Sequence, residues 1–221
     1  MMIKMITVKT EIKTDRDIFY HDDRVKKIVS TLLTDNTRIR CEIMRLINFA
    51  YKSDMFDKRI VNLGVMYSKN TMHNHLLWNC YYPHLYNIYR DPMVDNLRGA
   101  VLEKYVYELL LLKYRERNNL SINCKVYINE VNCGGSVDAF YYSHLDEFGE
   151  TYECKMNPDH LDHKDITILL NIYRYSESKI KPCIATFQNT EAIDVRLRDL
   201  KYFSNNICVY GVNNIQEISS Q

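Results

Sequence analysis

The chain has 221 residues, 46% of them hydrophobic and 26% charged, with a formal net charge of +1. That length allows one generous domain or two small ones, and the composition is ordinary for a soluble globular protein. No apolar run approaches the roughly 20 residues of a membrane span, and a charge near zero supplies no global positive field, so any nucleic-acid contact has to use a local patch. The first 14 residues carry scattered lysines and no continuous apolar stretch, so no secretory signal is expected. Seven cysteines without a CxxC pair read as reduced thiols, and the expected location is cytoplasmic.

In chain order, residues 6–12 alternate apolar and polar side chains, the period of a strand. Residues 22–33 and 37–53 follow helical spacing, the second with Ile39, Ile43, Ile47 and Ala50 on one face and Thr37 as its N-cap. The pattern weakens over residues 61–89, rich in tyrosine, which read as irregular or helical. A helix capped by Asp95 or Asn96 runs to about residue 117, with Leu102, Tyr105, Val106, Leu109 and Leu110 at helical spacing. Strands follow over residues 122–131, 136–142 and 151–156, the last two joined by a turn near Asp146. A helix starts at Asn157-Pro158-Asp159, with Asp159 read as its cap, and a strand (183–187), a helix (191–203) and a strand (207–211) complete the chain. The expected fold class is α/β, with a mostly helical region over residues 1–95 and an α/β domain over residues 96–221.

Glu153 and Lys155 flank Cys154 on one strand and therefore share a face. If that strand pairs with its predecessor through the Asp146 turn, Asp138 lies opposite Glu153. Two carboxylates so close repel and raise at least one pKa. A Mg2+ ion removes the conflict, since it takes a few carboxylate oxygens and completes its shell with water and phosphate oxygens. Glu103 borders the buried stripe of its helix with no basic residue three or four positions on, which makes it a further candidate ligand. Taken singly, each has a plainer reading: a solvated ExK pair, a snorkelling edge acid, a turn acid. Their joint order carries the functional reading.

Acid on a helix, acid on one strand and ExK on the next resemble the PD-(D/E)xK nuclease superfamily, over about residues 96–211. The resemblance implies a restriction-endonuclease-like core of helix, three strands, helix and strand. It makes Asp138 and Glu153 the metal-binding acids, Lys155 the motif lysine, Glu103 the additional acid of the first core helix, and the backbone carbonyl of Cys154 a further ligand. Val137 stands where the motif has proline. The implied activity is phosphodiester hydrolysis with Mg2+ or Mn2+ by an endonuclease, DNA favoured over RNA as the partner, and a homodimer is compatible with it. Lys155 is read as an electrostatic and orienting group rather than a general base. The alternative is a module that binds nucleic acid or protein without cleaving, and a third reading takes the set as coincidence in an interaction protein.

Arg38, Arg45, Lys52 and Arg59 recur every seven residues and would share one side of a continuous helix, a stripe able to track a phosphate backbone but more often a solvated face. His163 and Lys164, near the start of the helix after the motif, are weaker candidates to reach the site. His73, His75, Cys80 and His84 have zinc-ligand chemistry but no common zinc spacing. Cys154 is a poor nucleophile candidate, because strand parity turns it away from Glu153 and no histidine partner is identifiable.

Overall fold

The computed structural model describes residues 7–12, 17–115, 117–202 and 206–220. Its N-terminal part contains β1 (Val8–Ile12), α1 (Asp17–Tyr20), α2 (Asp23–Thr34), α3 (Arg38–Phe49), α4 (Ser53–Tyr67), α5 (Thr71–His75), a π-helical turn (Leu76–Tyr81) and α6 (Tyr82–Tyr89). There follow α7 (Val94–Tyr114), β2 (Leu120–Ile128), β3 (Val131–Ser143), β4 (Phe148–Cys154), α8 (His163–Tyr175), β5 (Ile180–Ala185), α9 (Thr190–Asp199) and β6 (Cys208–Tyr210). The protein is mixed α/β. One six-stranded sheet runs in the order β1-β2-β3-β4-β5-β6, antiparallel from β1 to β4 and parallel from β4 to β6. No helix among the described residues is long and apolar enough to cross a membrane.

Local chemistry sets most of these boundaries. The Thr37 hydroxyl accepts the Ile39 N–H at 3.3 Å and opens α3, whose Ile39, Ile43, Met44 and Ile47 are buried. Residues 61–89 are helical nearly throughout, and β1 carries the N-terminal region into the sheet by pairing with β2. The strand expected over 122–131 is cut by a tight turn at Asn129-Glu130, whose positive φ angles (49° and 68°) suit a two-residue hairpin. The helix expected from Asn157 starts later. Asp162, not Asp159, caps α8, in a reciprocal box with Asp165, while residues 158–160 form a 3-10 turn capped by Asn157.

Helix α7 is buried on most of its circumference because it lies between α2 and one face of the sheet. Tyr141, Tyr152, Cys154, Cys183 and Ala185 pack on that side, whereas Val126, Val137, Phe140 and Ile184 pack against α8 and α9 on the other. Strand alternation breaks once in β2. Leu120 and Ile122 face α7, Cys124 and Val126 face α8, and Asn123 between them has a left-handed φ of 42°. Strand β3 breaks beside it, with Val137 on the α8 side, Ala139 on the α7 side and Asp138 at the switch. Side-chain alternation therefore turns over in both strands beside Asp138.

The hairpin that brings those acids together depends on Gly149. A Cβ there would sit 2.4 Å from the Tyr141 carbonyl oxygen, a backbone atom that cannot move aside. Gly149→Ala is expected to destabilise the protein by about 1–3 kcal/mol, the cost of overpacking. A urea titration checks this, and a midpoint equal to that of the wild type would refute it.

Candidate functional site

The pairing of β3 with β4 runs from Ser143 opposite Phe148 to Ala139 opposite Tyr152, the register that brings Asp138 up to Glu153. Beyond that point the ladder gives way to a side chain: the Cys154 N–H donates to Asp138 Oδ2 at 2.7 Å. Lys155 N–H in turn donates to the Ala185 carbonyl, so the motif sits where β4 leaves the backbone ladder of β3 and continues along β5. Glu153 is 6% exposed. Its carboxyl is pushed well above the usual range by burial, then by Asp138, against the pull of Lys155.

Lys155 Nζ lies 2.8 Å from Glu153 Oε1 and 3.0 Å from Asp165 Oδ2. Burial lowers its pKa, but Glu153 and Asp165 together outweigh that and raise it. Glu153 is thus shared between a carboxylate neighbour, Asp138, and an ammonium that Asp165 also engages. Asp165 was not singled out from sequence, although the Asp162-x-x-Asp165 spacing is that of a capping box. The Asp162 N–H donates to Asp165 Oδ2 at 3.0 Å, and Asp162 Oδ1 accepts the backbone N–H groups of Lys164 and Asp165. Gly135 packs directly under α8, where an added Cβ would require the Ile168 side chain to move.

On the other side of the sheet α7 supplies Glu103, which is buried and accepts a hydrogen bond from the Tyr20 hydroxyl of α1. Burial first, then Glu103, hold the Tyr20 phenol protonated far above neutral pH. Cys154 lies on the α7 side, as its parity requires, with its thiol pushed well up by burial and then by Asp138 and Glu103. That environment suppresses the thiolate and any nucleophilic role for the side chain.

Glu103, Asp138, Glu153, Cys154 and Lys155 all line one cavity of about 510 Å3, between α1 and α7 on one side and the start of α8 on the other. Six carboxylates (Asp95, Glu103, Asp138, Glu153, Asp162 and Asp165) line it against two lysines, Lys155 and Lys164. Among the described residues no three carboxylate, imidazole or thiol groups converge closely enough to hold a metal by themselves. The donors fit a hard divalent cation that binds through one or two carboxylates and takes its remaining ligands from water and substrate. They do not form an all-protein cage.

No family model and no curated protein matches the chain. Several solved structures resemble it weakly, two of them from Vibrio cholerae and Sulfobacillus thermosulfidooxidans. Protein VC1899 from Vibrio cholerae shares 12% identity at a TM-score of 0.44, over 96% of this chain and 57% of that one. Can2 from Sulfobacillus thermosulfidooxidans, solved with cyclic tetra-adenylate, shares 17% identity at a TM-score of 0.41, over 84% of this chain and 55% of that one. The chain spans little more than half the length of either.

The remaining sequence candidates lie apart from this cavity or at its rim. Lys164 lines it, but His163 turns toward Tyr202. Arg38 and Arg45 belong to α3, which ends at Phe49, whereas Lys52 precedes α4 and Arg59 lies within it. The seven-residue spacing is thus not one helical face, and Arg45 is paired with Glu42 at 3.0 Å. His73 packs edge-on against Tyr67, and His75 meets the Asn79 amide.

Proposed function

We propose that the protein is a metal-dependent nuclease of PD-(D/E)xK type, hydrolysing phosphodiester bonds on a restriction-endonuclease-like core. The observation that carries this reading is the charge imbalance of the cavity. Six carboxylates against two lysines repel a phosphodiester, so a cavity of this kind admits one only together with added positive charge. A bound Mg2+ or Mn2+ would supply that charge, polarise the scissile phosphate and make a water more acidic. Asp138, Glu153 and the Cys154 carbonyl are the groups that would hold it, with Glu103 steadied alongside by Tyr20. Lys155, kept ammonium by its two acids, would orient the phosphate and offset charge developing on it. The sequence order of α7, β2, β3, β4, α8 and β5 supports the core assignment. DNA is favoured over RNA, and a homodimer is compatible, on the resemblance alone.

One observation favours the alternative of a non-cleaving binding module. The Lys155 ammonium is already engaged by Glu153 and Asp165, an arrangement that a purely structural ion pair would share. Incubation with plasmid, single-stranded DNA and RNA under Mg2+, Mn2+ or EDTA separates the two. Cleavage that needs the metal and disappears in Asp138→Ala and Glu153→Ala is the expected result, whereas cleavage that persists in these variants would reveal contamination and end the enzyme claim. Mn2+ should also stabilise the wild type by about 2.7 kcal/mol at a hundred times its Kd, seen as a higher Tm, and should not do so in Asp138→Ala.

A further inference from the structure

Outside the cavity, Cys183 of β5 and Cys208 of β6 face each other across adjacent parallel strands as direct register partners. Both pack on the α7 side of the sheet. Neighbouring strands lie about 4.8 Å apart, inside the roughly 4.4–6.8 Å Cα separation that a disulfide spans. The Cys183 thiol donates to the Lys181 carbonyl oxygen of its own strand at 3.7 Å, and it lies close enough to Cys208 for each to shift the other's titration. Cys183 is fully buried and Cys208 partly exposed.

Their surroundings make the pair unequal. Lys181 stands beside Cys208, its Nζ 3.5 Å from the Tyr210 hydroxyl. The neighbouring Cys183 thiol, then Lys181, bring the Cys208 thiol down to about 6, against burial and Glu150. Glu150 opposes this only weakly, being engaged by Lys113 at 3.1 Å and by the Tyr152 hydroxyl at 3.1 Å. Burial holds the Cys183 thiol up, and it does the same for Cys124, Cys133 and Cys154.

We infer that Cys208 is a hydroperoxide-reactive cysteine and Cys183 its resolving partner, the two closing a cross-strand disulfide between β5 and β6. In the first step the Cys208 sulfur attacks one peroxide oxygen and the O–O bond breaks. The departing hydroxide takes up a proton, and Cys208 is left as a sulfenic acid, oxidised by two electrons as the peroxide is reduced. In the second step Cys183 gives up its proton and its sulfur attacks that of Cys208. The S–O bond breaks and a second water leaves, so two thiols and one H2O2 become one disulfide and two waters.

The test uses the full chain treated with one equivalent of H2O2, then alkylated and mapped by mass spectrometry. The expected product loses two of its seven free thiols and yields one cross-linked peptide containing Cys183 and Cys208. Cys183→Ser should stop at the sulfenic acid, with dimedone labelling of Cys208 at least about tenfold above that of the partly exposed Cys41 and Cys80, since the thiolate is the reactive form. Oxidation spread over several cysteines, a disulfide joining any other pair, or full alkylation of Cys183 and Cys208 after treatment would overturn the proposal. The wild-type map decides the matter even if a variant folds poorly.

Discussion

Glu153→Gln is expected to yield a protein that melts higher than the wild type at neutral pH and no longer cleaves. Burial sets the main cost of charge on Glu153, Asp138 adds repulsion, and Glu153 shares the Lys155 ammonium with Asp165. Glutamine removes that charge yet keeps an oxygen to accept from Lys155, which retains Asp165 at 3.0 Å. Because the Glu153 pKa in the folded state stands above its ordinary 4.5, the folded protein binds a proton over a range where the unfolded chain does not. Stability of the EDTA-treated wild type should therefore rise as pH falls through the folded pKa toward 4.5, then level off. The variant should lack that rise. Thermal melts in EDTA between pH 5 and 8 measure it, and a variant that melts lower with an unchanged pH profile would show that Glu153 is not held under repulsion. Activity should fall by more than the roughly 10–100-fold that loss of an outer-shell metal partner costs. Higher stability with lost turnover is what a site that concentrates like charge to bind a cation would give.

The charged motif was legible because strand parity and hairpin register are arithmetic. Glu153 and Lys155 had to share a face, and the Asp146 turn had to bring Asp138 up to β4. The Thr37 cap and the apolar stripe of α3 were equally plain. What escaped needed three dimensions. Asn123 reads as one polar residue in an apolar strand, and nothing local says that its left-handed backbone turns the alternation over beside Asp138. Asp165 belongs to the ion pair because the start of α8 packs beside the end of β4. The basic stripe failed for the converse reason: a regular spacing was extended across a helix end, with α3 closing at Phe49 and α4 starting afresh at Ser53. The segment before Pro83 reads as either irregular or helical, and it is helical with one departure from α geometry. Proline has no N–H to close an α-helical turn onto Asn79, and the Tyr82 N–H reaches back five residues to the Leu77 carbonyl.

Lys155→Met should produce the opposite stability change by the same charge count. The side chain keeps its length and apolar stem, but Glu153 and Asp165 lose the ammonium they share while Asp138 still repels Glu153. Breaking a buried pair by removing one partner costs about 3–5 kcal/mol, and Lys155 at 20% side-chain exposure is buried enough to approach that range. The loss should be largest at neutral pH in EDTA and shrink as acid protonates the carboxylates. Mn2+ should restore more Tm in this variant than it adds to the wild type, because the ion replaces the missing charge. Cleavage should stay low even so, since the ammonium that faces the phosphate is gone. Calorimetry with and without Mn2+ separates the outcomes. A variant as stable as the wild type in EDTA would mean that solvent already screens the three acids, and the case for a cation-demanding cavity would then lose its electrostatic basis.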